Sequence, residues 1–221
     1  MTDLLVIAPH PDDEVLGCGA TMARYLREGK SVAVVWVGEG GWDKAYKPTE
    51  DHSTLVFRAM LALGPGVHTG LLRFSEDQRF ETHPRAVLAD EIAGYVGRWQ
   101  PRTVLLPFYG DVNLDHRVTF EAAMVACRPT RSFIRRIACY ETASSTEWGA
   151  IHPFRPNWYV EVSADDLRRK NAALEVYGDQ MREPPHPRNV QTAHTRIMAR
   201  GSEVCAQYAE AFQLVREVDR L

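Results

Sequence analysis

Residues 10–14 read HPDDE, which puts one imidazole and three carboxylates into five consecutive positions. Carboxylates crowded this closely repel one another, and a merely solvated turn would be better served by glycine or serine. A cation would relieve the repulsion. Imidazole nitrogen and carboxylate oxygen are both ligands for zinc or ferrous iron. A second polar cluster, YGDVNLDHR at 109–117, lies far along the chain. His10 and Asp13, three residues apart in a turn, can face one ion, and His116 would complete a set of two imidazoles and one carboxylate. Three protein ligands leave a position open, the pattern of a catalytic rather than a structural zinc site. A carboxylate beside such an ion can take a proton from water as the water attacks a carbonyl. Asp12, between the two ligands, is placed for that work.

These clusters need elements that bring them together. The runs LLVIA (4–8) and SVAVVWV (31–37) are continuous and β-branched, as expected for strands buried on both faces. TVLLP (103–107), RIACYE (136–141) and WYVEV (158–162) supply three more strands. Helical spacing predicts helices over about 14–28, 52–63, 84–99, 116–127, 164–178 and 192–213. The alternation predicts a single domain over 1–221. Its class is α/β: a Rossmann-like, doubly wound, mostly parallel sheet with helices on both faces. Both polar clusters follow buried strands, so they sit at the carboxyl edge where such sheets bind ligands. If the first strand and the strand at 103–107 are neighbours where strand order reverses, the clusters converge across one crevice. The loops at 38–51, 143–156 and 182–194 are the expected walls, the last containing the proline-rich REPPHPRNV (182–190).

Composition narrows the partners. The chain has 221 residues, with 26 basic against 29 acidic side chains and a net charge of -3, so no broad basic surface for nucleic acid is expected. No run is apolar enough to span a bilayer, and MTDLLVIAPH has no positive segment before its apolar run, so a cytoplasmic location is expected. Cys18, Cys127, Cys139 and Cys205 form no C-x-x-C pair and read as buried, reduced thiols.

HPDDE after a strand, with a distant DH opening a helix, resembles the zinc-dependent N-acetyl-sugar deacetylases typified by the PIG-L and LmbE proteins. CYE (139–141), K-x-x-A-L-x-x-Y (170–177) and YAEAF (208–212) match that family too. CRP, SSTEW, PHPR and RGSEV are similar to its branch associated with sugar and glycoconjugate biosynthesis. The resemblance implies zinc, with ferrous iron as the alternative, on His10, Asp13 and His116. It implies Asp12 as general base and Asp115 as a group that orients a neighbour. One position departs from the family, whose members often carry H-x-D-H with a charge-stabilising first histidine; here Asn113 stands in its place. An amide can donate to an oxyanion but cannot supply a proton. The proton for the departing amine would come back from Asp12, with Tyr109, His186 and His194 as further candidates.

Plainer roles compete at each position. Asp12 or Asp13 would serve as a helix cap, and Asp115 as the cap of the helix near His116. Glu14 reads as a first-turn acid before it reads as an orienter of ligands. For Arg58 and Arg188 a surface ion pair is the default and contact with a phosphate or sugar hydroxyl the alternative. Trp42, Trp148 and Trp158 suit either sugar stacking or packing. GEGG (38–41) lacks the spacing of a nucleotide loop. The expected function is removal of an acetyl group from an N-acetylated amino sugar or its conjugate, a small-molecule substrate; the oligomeric state is open. The alternatives are a deacylase of a non-sugar amide, a magnesium-dependent phosphoryl-transfer enzyme, and a non-catalytic sugar- or nucleotide-binding module.

Overall fold

The computed structural model describes residues 1–39, 51–74, 79–149 and 151–219. Trp42 and the last two glycines of GEGG, with most of the 38–51 loop, lie outside the described residues.

The chain alternates strand and helix. In order it forms β1 (Thr2–Ala8), α1 (Asp13–Arg27), β2 (Val32–Trp36), α2 (His52–Leu63), β3 (His68–Leu71), α3 (Arg85–Trp99) and β4 (Pro101–Pro107). Then come α4 (Leu114–Ala126), β5 (Arg136–Tyr140), β6 (Trp158–Glu161), α5 (Ala164–Val176), α6 (Val190–Ser202) and β7 (Ala209–Glu217). The strands make one sheet in the order β3-β2-β1-β4-β5-β7-β6. β3, β2, β1, β4 and β5 pair in parallel, and β7 lies antiparallel to both β5 and β6.

Both faces of the sheet are covered, as continuous apolar strands require. Leu4, Val6 and Ala8 of β1 pack on the face that carries α1, α2, α5 and α6. Leu5 and Ile7, pointing the other way, pack under α3 and α4. The order reverses between β1 and β4, in register from Leu4 opposite Thr103. Their carboxyl ends therefore open side by side, and each is followed by one of the two polar clusters. This is the doubly wound, mostly parallel α/β arrangement expected from the alternation.

Helix α1 comes unusually close to its neighbours. A Cβ on Gly17 would lie 2.3 Å from the Tyr140 ring, and one on Gly19 would lie 2.9 Å from the Lys170 stem. These glycines are needed for approach, not for a special φ. The Lys170 ammonium reaches the Leu16 carbonyl at 2.7 Å and Glu210 Oε1 at 2.7 Å. Glu210 in turn accepts from the Ala20 and Thr21 N–H groups at 3.0 and 2.7 Å. The two residues, in the K-x-x-A-L-x-x-Y and YAEAF stretches, thus clamp the middle of α1.

Three expectations are corrected. The helix expected over 192–213 ends at Ser202, and 209–217 is the strand β7. The chain turns back there because Gly201 packs on the backbone of Ala206 and Gln207, and Cys205 takes a positive φ of 57°. The two alanines and the glutamate of YAEAF favour a helix locally, but pairing with β5 and β6 and the Lys170–Glu210 contact override that preference. β3 has no counterpart among the expected strands; it is a short edge strand with His68 and Thr69 exposed, so it lacks the buried apolar run. Cys205 is exposed, whereas Cys18, Cys127 and Cys139 are buried; all four are free.

Candidate metal centre

The turn from β1 into α1 is built around Asp12. Its backbone sits at φ 113°, a region L-residues rarely adopt, and its side chain caps nothing. Glu14 helps hold this conformation. Fully buried, it accepts from the Asp12 N–H at 3.1 Å, the Trp36 indole at 2.9 Å and the Tyr177 hydroxyl at 2.7 Å. Burial pushes the Glu14 carboxyl up to about 8, against the pull of the Tyr177 and Trp36 hydrogen bonds. Asp13 does not cap the helix in the usual sense either; its Oδ2 accepts from the His10 N–H at 3.1 Å.

His10, Asp13 and His116 offer ligand atoms that all lie within 4.8 Å of one another. All three are buried. Asp13 Oδ2 stands 3.3 Å from His10 Nδ1 and 3.2 Å from His116 Nε2. The far side of each ring is held by its own carboxylate. His10 Nε2 donates to Asp115 Oδ2 at 3.0 Å, and His116 Nδ1 donates to Asp111 Oδ2 at 3.0 Å. Those bonds leave Nδ1 of His10 and Nε2 of His116 turned toward Asp13, the tautomers a metal needs. The supporting carboxylates are themselves tied. Asp115 accepts from the Phe80 N–H at 3.2 Å. Asp111 accepts from the Thr146 hydroxyl at 2.9 Å, the Asn113 N–H at 3.0 Å and the Ser145 hydroxyl.

The donors fit a divalent cation. Among the described residues Asp13 Oδ1 is buried with no hydrogen-bond partner, and His116 Nε2 meets only the Asp13 carboxylate, an expensive arrangement unless a cation takes their lone pairs. Burial alone would lower the His116 pKa, but Asp13 and Asp111 outweigh it and raise the ring to about 10. Burial works against an ionised Asp13, and the two imidazoles overcome it, holding that carboxyl far below the usual range. The cluster therefore seeks positive charge, which a coordinated cation supplies in place of a proton. Two imidazoles and one carboxylate suit zinc or ferrous iron better than magnesium.

Asp12 stands beside this triad with 1% exposure. Burial lifts its pKa to about 7, opposed chiefly by the Arg188 guanidinium, whose Nη1 lies 3.2 Å from Asp12 Oδ2. Arg188 comes from the proline-rich loop between α5 and α6, and its Nε donates to the Ser144 hydroxyl at 3.0 Å.

The structure does not bring every candidate to this point. Asn113 caps α4, its side-chain oxygen accepting from the Asp115 N–H at 2.9 Å, so Asp115 is not that cap. The Tyr109 ring packs against Phe108, Phe120 and His152, and its hydroxyl accepts from Gln213. His194 packs on Tyr208, and Arg58 is exposed on α2. His186 meets Trp148 edge-on and accepts the Arg188 N–H through Nδ1 at 3.1 Å. Trp158 packs on Phe212 and under the Arg136 guanidinium, away from the cluster. Asp111 is the residue that sequence reasoning missed. Its signal was available: an acid in the turn five residues before a candidate ligand histidine. The reading of Glu14 as a first-turn acid understated it, because its partners Trp36 and Tyr177 are distant in sequence.

The sequence pattern of the PIG-L family, described as GlcNAc-PI de-N-acetylase, matches residues 5–127. The chain is 30% identical over 184 residues to YaiS of Escherichia coli strain K12, described as an uncharacterized deacetylase, covering 79% of this chain and 89% of YaiS. The conserved protein TT1542 of Thermus thermophilus superposes with a TM-score of 0.77 at 28% identity, covering 100% of this chain and 98% of that one. The N,N'-diacetylchitobiose deacetylase of Pyrococcus horikoshii shares the fold, with a TM-score of 0.74 at 20% identity and coverage of 97% and 84%.

Proposed function

This chain belongs to the PIG-L family, and we propose that it is a metal-dependent amide hydrolase. It removes the acetyl group from an N-acetylated amino sugar or its conjugate, as one domain over 1–221, in the making of a glycoconjugate or sugar-containing metabolite. The observation that carries this reading is the convergence of two imidazoles and a carboxylate, each ring backed by its own buried acid, beside a further buried carboxylate. His10, Asp13 and His116 hold zinc, or ferrous iron in its place. When bound, the cation supplies positive charge that polarises an amide carbonyl and acidifies water. The protein's own groups do the rest.

Asp115 and Asp111 keep the two imidazoles in register through the 3.0 Å bonds to their outer nitrogens. Asp12 has Oδ2 engaged by Arg188, and among the described residues no group engages Oδ1, the oxygen we assign as the base. It takes a proton from the attacking water. The water oxygen adds to the acetamide carbon, and the carbonyl electron pair moves onto oxygen. As that pair returns, the C–N bond breaks, and Asp12 gives its proton to the departing nitrogen. The products are acetate and a free amine. The Asn113 oxygen caps α4, which fixes that amide at the start of the helix, and an amide has no proton to give the departing nitrogen. Among the described residues no helix is long and apolar enough to cross a membrane.

The test is acetate release from a panel of N-acetylated monosaccharides, glycosides and nucleotide sugars, with metal analysis of the purified protein. Release with near-stoichiometric zinc or iron supports the assignment. No release from any of them with zinc bound overturns it, and a metal-free protein activated by magnesium overturns the donor assignment.

A further inference from the structure

Resting on the deacetylase reading, we propose that Arg188 is a catalytic residue that donates a hydrogen bond to the substrate's carbonyl oxygen as that oxygen becomes anionic. Its guanidinium is fixed on two sides: Nη1 lies on Asp12 Oδ2 at 3.2 Å and Nε on the Ser144 hydroxyl at 3.0 Å. Its backbone is fixed as well. The Arg188 carbonyl accepts from the Arg182 N–H at 2.8 Å, and the Arg188 N–H donates to His186 Nδ1 at 3.1 Å. The next residue, Asn189, caps α6 by accepting from the Thr192 N–H at 2.8 Å. A loop tied at both ends thus delivers one cation to the base, and that cation is only about a quarter exposed at 26%.

The fork is not used up. Among the described residues, no protein group takes the Nη2 hydrogens of Arg188. A water deprotonated by Asp12 must lie within about 3 Å of that carboxylate and of the carbonyl carbon it attacks. The free arm of a guanidinium already bonded to the same carboxylate is then in range of the carbonyl oxygen. In the addition step the water oxygen bonds to carbon, its proton goes to Asp12, and the carbonyl pair settles on the oxygen facing Arg188. Arg188 keeps all its protons and returns nothing; it stabilises charge only. Arg188 is the arginine that the fold places against the base.

The alternative is a structural ion pair that merely holds Asp12. Arg188→Ala and Arg188→Lys, each prepared with metal, separate the two. The substrate is whichever N-acetyl sugar of the panel the wild type cleaves. Readouts are kcat and KM separately, bound metal per chain, thermal midpoint, and kcat on adding guanidinium at non-denaturing millimolar levels. A catalytic donor predicts that R188A loses about 100-fold or more in kcat, with little change in KM, metal content or midpoint. It also predicts partial activity in R188K and recovery of R188A by added guanidinium. An R188A kcat close to wild type overturns the proposal. So does a loss that neither Lys nor free guanidinium repairs and that comes with lost metal or a lowered midpoint. A wild type that cleaves nothing sinks the deacetylase reading and this proposal together, whereas an active wild type with a near-normal R188A sinks this proposal alone.

Discussion

The buried Lys170–Glu210 pair should respond asymmetrically to removal of its two ends. The ammonium is 2% exposed and the carboxylate 3%. Breaking a buried pair typically costs about 3–5 kcal/mol, because the remaining charge is stranded. The strandings differ here. In Lys170→Met, Glu210 keeps two N–H donors, from Ala20 and Thr21, so the loss belongs at the low end, about 3 kcal/mol. In Glu210→Leu the ammonium keeps only the Leu16 carbonyl, and the Ala20 and Thr21 N–H groups lose their carboxylate acceptor, so the loss belongs at about 5 kcal/mol. At about 2–4 °C per kcal/mol for a chain of this size, the midpoints fall by about 6–12 °C and 10–20 °C. The double variant carries no stranded charge, so its loss is smaller than the sum of the two, with a coupling of about 2–3 kcal/mol. Urea unfolding of wild type, both single variants and the double variant measures all of this. Equal single losses, or strict additivity, would refute the idea that Glu210 without Lys170 keeps two partners and Lys170 without Glu210 keeps one.

Asp12→Asn should keep its metal and lose most turnover, whereas His10→Ala should lose the metal as well; atomic absorption and acetate release together read both outcomes. Adding zinc to the metal-free chain should raise its stability by about 2.7 kcal/mol at a hundredfold excess over Kd, and His116→Ala should abolish the shift, as a thermal melt will record. Asp166 gives an acid-side prediction. Burial raises its pKa, but the Arg27 fork at 3.0 and 2.9 Å and the Ser163 capping box outweigh that and leave it below its ordinary 3.8. A depressed carboxyl stabilises the fold above its ordinary value and loses that contribution as pH falls through the folded one. Asp166→Asn should therefore cost about 1–2 kcal/mol at pH 7 and progressively less on acidification, so a gap in urea midpoint that stays constant down to pH 2 would contradict the assignment. Gly17→Ala should destabilise by about 1–3 kcal/mol by pressing a methyl into the Tyr140 ring; a neutral effect in denaturant unfolding would show that α1 can back away.

The amino-acid sequence by itself determined the frame. The unbroken apolar runs at 4–8 and 103–107 required strands covered on both faces, and the helical spacing between runs required parallel crossovers. HPDDE and YGDVNLDHR then had to follow strands at the carboxyl edge of the sheet, so His10, Asp12, Asp13 and His116 were legible as a group provided the two strands were neighbours, which the sheet order decides. What lay beyond is of two kinds. YAEAFQLVRE favours a helix from local preference, and only its partners β5 and β6, with Lys170 waiting for Glu210, turn it into β7. The roles of Asp111, Asp115, Glu14 and Arg188 depend on which nitrogen or oxygen each one meets across up to 176 residues of sequence. A hydrogen bond is set by ångströms and angles between atoms, and no spacing along a chain encodes those. Periodicity tells which face a residue lies on; only packing decides whom it touches.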